Sequence, residues 1–189
     1  MAKLNITLLQ SSAFGNKTEI ALAKLAQKLE ASGQDVTTLN LKQLELEFCD
    51  GRNFTEYEGD TKKVIDTIMA TDVLFIGFPV FQGSIPGTLK NIFDLLPQNA
   101  LEYKTVGCIV TAGSKRHYLV CEQQLLPILR YMRANVVSRY VFITDTDFTG
   151  QELTSDDIDF RLDRLLEDTL VLAETYQHIW QKQENSYGF

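Results

Sequence analysis

The chain has 189 residues, 44% apolar and 23% charged, with a formal net charge of −7. This suits one globular domain with a filled core. It speaks against a nucleic-acid surface, which needs a basic face.

The longest apolar run, Val73 to Phe81, is broken by Gly77 and Pro79 and is too short to span a membrane, which takes about 20 residues. The first residues are too polar for a signal peptide. Cys49, Cys108 and Cys121 form no Cys-x-x-Cys pair and read as reduced thiols. A cytoplasmic protein is expected.

Lys3 to Leu9 reads as the first strand. Lys17 to Ala31 has helical spacing at Leu22, Leu25, Ala26 and Leu29, and Gly33 ends it. Asp35 to Leu41 is a second strand. A long loop with Asp50, Arg52 and Glu56 follows, read as solvated or as a subunit contact. Asp60 to Ala70 is a helix with Val64, Ile65, Ile68 and Met69 on one side. Asp72 to Gly77 is a third strand, and Pro86 to Leu96 a helix with Leu89, Ile92, Phe93 and Leu96 inward. Thr105 to Val110, Tyr118 to Met132 and Val136 to Ile143 continue as strand, helix, strand. Ser155 to Gln183 is a closing helix with an acidic first turn. Its expected buried stripe is Ile158, Leu162, Leu165, Leu166, Ala173, Tyr176 and Trp180. One domain over residues 1–183 with a frayed tail, 184–189, is expected.

Five strands alternating with five helices predict an α/β three-layer sandwich with a parallel sheet covered on both faces. Residues 73–77 carry no polar side chain, as a doubly buried strand requires. No Gly-x-Gly-x-x-Gly follows the first strand. That favours the strand order 2-1-3-4-5 over the dinucleotide-binding order, and either one places a ligand at the carboxyl ends of the strands.

Three loops lie at that edge. Ser11 to Thr18 offers Ser11, Asn16 and Thr18 as donors, Gly15 as a bend and Lys17 as a cation, a set suited to phosphate at a helix start. A plain N-cap by Asn16 or Ser12 explains the same residues. Pro79, Val80, Phe81, Gln82, Gly83 and Ser84 form a loop that offers backbone groups and an aromatic face to a flat, polar-edged ligand. Simple strand-to-helix punctuation is its other reading. Thr111, Ala112, Gly113 and Ser114 precede Lys115, Arg116 and His117. This segment reads as ligand-binding, with the cations steering an anion, or as a solvated basic turn. Asp145 and Asp147 after the fifth strand read as a polar loop, with a metal site as the other reading. Together the three loops suggest one elongated anionic ligand across the sheet edge.

At these residues the chain resembles the NADPH-dependent FMN reductases of the flavodoxin-like superfamily. Pro79-Val-Phe-Gln-Gly-Ser-Ile-Pro-Gly-Thr-Leu-Lys-Asn-Ile-Phe-Asp94 is similar to their Pro-x-Tyr-x-x-Ser-x-x-Gly-x-Leu-Lys-x-x-x-Asp segment. Thr111 to Ser114 with His117 resembles the corresponding loop of the reductases that feed two-component alkanesulfonate monooxygenases. Phe81 stands where the family has Tyr, and Ala13 or Phe14 where it has Arg. The resemblance implies FMN, with its phosphate in the first loop and its ring edge at the other two. It implies NADPH or NADH as donor and a small-molecule acceptor such as free flavin, a quinone, an azo compound or a ferric complex. It also implies a homodimer or homotetramer, with a flavin-dependent monooxygenase as a partner. The rival expectations are a flavodoxin-like FMN electron carrier without nicotinamide activity and a non-catalytic interaction domain.

Overall fold

The computed structural model describes residues 3–187, with side chains for residues 3–180. Its central strands are β1 (Ile6–Gln10), β2 (Val36–Asn40), β3 (Val73–Pro79) and β4 (Thr105–Ala112). The fifth position holds two pieces, β5 (Asn135–Val136) and β6 (Val141–Thr144), both parallel to β4. The order is 2-1-3-4-5, as expected. A small hairpin, β7 (Phe148–Thr149) with β8 (Glu152–Leu153), follows.

The expected single fifth strand is interrupted. Val106 pairs with Val136 and Ile109 with Val141, so two more residues separate the partners on this strand than on β4. The excess is taken up around Ser138 and Arg139, which are exposed. A sheet covered on both faces has no place for them, so the strand bulges outward there.

The helices are α1 (Lys17–Ala31), α2 (Gly59–Ala70), α3 (Gly87–Leu95), α4 (Leu126–Tyr131) and α5 (Asp156–Tyr187). Helix α4 is shorter than the expected 118–132 because a π-turn, Cys121–Leu125, precedes it. Pro127 has no N–H to give and crowds the carbonyl four residues back, which widens the turn there. Helix α5 continues past residue 183, and residues 188 and 189 of the expected tail lie outside the described residues.

The strands alternate between two cores. Leu74, Ile76 and Phe78 join the core under α2, α3 and α4. Val73 and Phe75 join the core under α1 and α5. Met69, expected inside, is exposed, and Tyr176 on α5 is 37% exposed. At about 1.5 Å per residue, the 32-residue α5 outruns the strands it covers, so its last turns find little sheet to pack on. Trp180 instead meets the Tyr103 ring edge-on at 4.3 Å.

The long loop before α2 is held in place by specific contacts. The Cys49 N–H donates to Asn91 Oδ1, and Asn91 Nδ2 donates to the Glu47 carbonyl, both at 2.9 Å. Arg52 pairs with Glu47 and Asp50 and lies over the Tyr57 ring. Its pull, through side-chain and backbone hydrogen bonds, lowers the Asp50 carboxyl to about 2. Tyr57 is buried, and its hydroxyl donates to Asp50 and accepts from the Asp50 N–H. Tyr57→Phe should cost about 1 kcal/mol in urea unfolding, since it deletes one hydroxyl and both its bonds. An unchanged midpoint would mean that the loop is held elsewhere.

Candidate functional site

The carboxyl ends of β1, β3 and β4 open on one cleft of about 260 Å³. The chain leaves β2 and crosses β1 to reach β3, so the cleft sits at the reversal of strand order. Its walls are Ser12, Phe14, Gly15, Asn16, Lys17 and Thr18 from the first loop, with Pro79, Val80 and Phe81 from the second. Thr111, Ala112 and Gly113 come from the third, and Asp145 from the end of β6.

Packing draws the first loop onto the sheet. The Ser11 N–H and hydroxyl both bond the Gly77 carbonyl, at 3.0 and 2.9 Å. Thr88 at the start of α3 donates to the Ser11 carbonyl at 2.9 Å. Thr18 and Thr111 share a buried hydroxyl contact at 2.6 Å. Gly77 lets α1 come down, because a Cβ there would lie 2.5 Å from Leu22 Cδ1 and 3.1 Å from Thr18 Cγ2.

The N-cap explanation of this loop does not hold. Asn16 occupies the N-cap of α1 but its side chain caps nothing, and the Ser12 hydroxyl donates to the Phe14 carbonyl. The first-turn amides of α1 are therefore uncapped at the cleft. Uncapped amides, the helix field and a lysine favour an anion. Gln10, beneath the loop, is 1% exposed, and among the described residues neither its Oε1 nor its Nε2 has a hydrogen-bond partner.

The second loop is a defined turn. Phe81 and Ser84 exchange both backbone hydrogen bonds, at 3.0 and 2.9 Å. Gln82 and Gly83 between them both have positive φ, 49° and 74°, as in a type I′ turn. A glutamine in that region carries local strain. Among the described residues the amides of Gln82, Gly83 and Gly113 take no backbone partner, so donors face solvent next to Phe81. Phe14 stacks on Phe81, with centroids 4.5 Å apart and planes within 7°.

Several expected residues are near the cleft without lining it. Ser11 is spent on Gly77. Gln82 and Gly83 form the turn tip, and Ser84 donates to Gln124 at 3.2 Å. The Ser114 hydroxyl accepts from the Arg116 N–H, starting the short 3-10 turn Lys115–His117. Lys115 and Arg116 are exposed and form no ion pair among the described residues. Sequence reasoning missed Ser12 and Phe14 as wall residues and read Asp145 as a polar loop or a metal ligand. Asp145 pairs with Lys17 at 2.7 Å. Asp147 instead accepts from the Thr144 N–H and hydroxyl, bracing the turn.

The groups that are present suit a planar ligand bearing a phosphate: free amides and a lysine at one end, an aromatic face and backbone donors at the other. The chain shares 42% identity over 132 residues with the "NAD(P)H-dependent FAD/FMN reductase" of Geobacillus thermodenitrificans, covering 69% of this chain and 71% of that one. With the "FMN reductase (NADPH)" of Escherichia coli it shares 27% over 166 residues, covering 86% and 85%. An apo crystal structure of NADH:FMN oxidoreductase (EMOB) superimposes with a TM-score of 0.76 at 23% identity, over 89% of this chain and 90% of that one, and so speaks for the fold. The model of the NADPH-dependent FMN reductases matches residues 4–149, a span that includes all three loops and Asp145. The chain thus belongs to the NADPH-dependent FMN reductase family, oxidoreductases that work with FMN and a nicotinamide donor.

Proposed function

We propose that the cleft holds FMN and that the protein passes electrons from NADPH or NADH to free flavin, a quinone, an azo compound or a similar small acceptor. The observation that carries this reading is the uncapped first turn of α1 beside Lys17, in a cleft shared by loops from three adjacent strands. Asn16, Lys17 and Thr18 would take the phosphate end, with Ser12 beside them and Ser11 fixing the loop. Phe81 would meet the ring face. The amides of Gln82, Gly83 and Gly113 would meet its polar edge, with Pro79, Val80, Ser84, Thr111, Ala112 and Ser114 shaping the two loops. FMN held there supplies the hydride-accepting centre.

Lys115 and Arg116, exposed beside the third loop, would draw in an anionic nicotinamide nucleotide, and His117 closes that turn. These exposed cations also weigh against a pure electron carrier. A homodimer or homotetramer is in keeping with exposed Tyr118, Leu119 and Phe160. A flavin-dependent monooxygenase as recipient, and a cytoplasmic location, belong to the same reading. Among the described residues no helix is long and apolar enough to cross a membrane.

The test is the absorbance spectrum of the protein with FMN under anaerobic conditions, before and after NADPH or NADH. Bleaching near 450 nm, a wavelength set by the flavin and not by this chain, followed by reoxidation on adding quinone or azo dye, is the expected result. A flavin that stays oxidised with both donors would refute the reading.

A further inference from the structure

Two charged side chains line the cleft, Lys17 and Asp145, and they are paired to each other at 2.7 Å. Lys17 is thus held toward the β6 end by a carboxylate of the same cleft, while Lys42, outside the wall, reaches the Gly15 carbonyl at 3.4 Å. Lys17 Nζ also lies 5.4 Å from the centre of the Phe148 ring, on the same side. The turn that Asp145 begins does not need its carboxylate, because Thr144 and Asp147 make the capping bonds. Among the described residues, the only partner of the Asp145 side chain is Lys17.

A phosphate entering this cleft must either draw Lys17 from Asp145, leaving that carboxylate uncompensated, or share the lysine with it. Either way its binding is weakened, whereas a flavin without phosphate is nearly indifferent to the pair. We propose that Asp145 is a specificity-determining residue that holds down affinity for the phosphorylated flavin relative to the unphosphorylated one. This rests on the flavin reading above. Both side chains are partly exposed, at 39% and 57%, so screening keeps the effect moderate, on the order of ten-fold, and makes it shrink as salt rises.

The experiment is a fluorescence titration of the full chain with FMN and with riboflavin, at low and high salt. The proteins are the unmodified one, Asp145→Asn, Lys17→Met and the double variant, each checked by circular dichroism. Asp145→Asn should tighten FMN by roughly ten-fold at low salt and less at high salt, with riboflavin unchanged. Lys17→Met should bring FMN toward the riboflavin affinity, and the gain from Asp145→Asn should be smaller in that background. If flavins bind but Asp145→Asn leaves FMN unchanged, or shifts both flavins alike, the proposal falls and the flavin reading stands. If no protein binds either flavin, both fall together.

Discussion

Valine at Gly77 should destabilise the fold by about 3 kcal/mol, the upper range for overpacking a filled core, and should weaken flavin binding as well. Gly77 lies on β3 directly under the first turns of α1. Even one Cβ there would meet Leu22 Cδ1 at 2.5 Å, Leu22 Cγ at 2.7 Å and Thr18 Cγ2 at 3.1 Å. Leu22 is 2% exposed and has nowhere to turn without opening the core beneath α1 and α5. The relief is to lift the start of α1. That motion strains the Thr18–Thr111 contact and shifts the amides that face the cleft. The stability loss should appear in urea unfolding, and the binding loss in flavin titration well below the unfolding transition. A valine variant with native stability would show that α1 does not rest on Gly77. A destabilised variant with native flavin affinity would separate the helix seat from the site.

Much of this architecture was legible in the sequence, because the strands that matter are buried on both faces. Residues 73–77 carry no polar side chain and could not be mistaken for an amphipathic segment. The strand order followed from the alternation of elements and the missing Gly-x-Gly-x-x-Gly. What escaped depends on register. The bulge at Ser138 and Arg139 exists because β4 and the fifth strand differ in length between two fixed pairings, and a periodicity reading has no access to that count. Tyr176 has helical spacing with the buried stripe, yet helix spacing says nothing about where the sheet beneath it ends.

The site was legible loop by loop and less so across loops. Gly15, Gly83 and Gly113 mark turns at strand ends, a local signal. The Lys17–Asp145 pair joins residues 128 positions apart by sequence number, and only the shared sheet edge brings them together. The strand order held a usable hint: if β4 and the fifth strand are neighbours, the residue after the fifth strand borders the third loop. In the sequence Phe14 stands out only by lying where the family has arginine. Its stacking on Phe81 is a contact between two loops whose conformations were not readable.

Alanine at Phe75 should be among the most costly single changes in the sheet, about 3–5 kcal/mol in urea unfolding, the usual range for emptying a buried aromatic site. Phe75 is 0% exposed, in the core beneath α1 and α5. Its ring occupies the space a side chain on the neighbouring strand would need. A Cβ on Gly107 of β4 would lie 2.8 Å from Phe75 Cδ1, 2.9 Å from Cε1 and 3.1 Å from Thr169 Oγ1 of α5. Glycine at 107 and phenylalanine at 75 therefore form one packing unit. Gly107→Ala alone should cost about 1–3 kcal/mol by overpacking. In the Phe75→Ala background the same methyl enters the vacated volume, and its cost should fall to about zero or change sign, a coupling of the size seen for residues in contact. The four-protein cycle tests this without any ligand. Additive losses would mean that the Phe75 ring already moves aside at little cost, and the close approach of α5 to β4 would need another explanation.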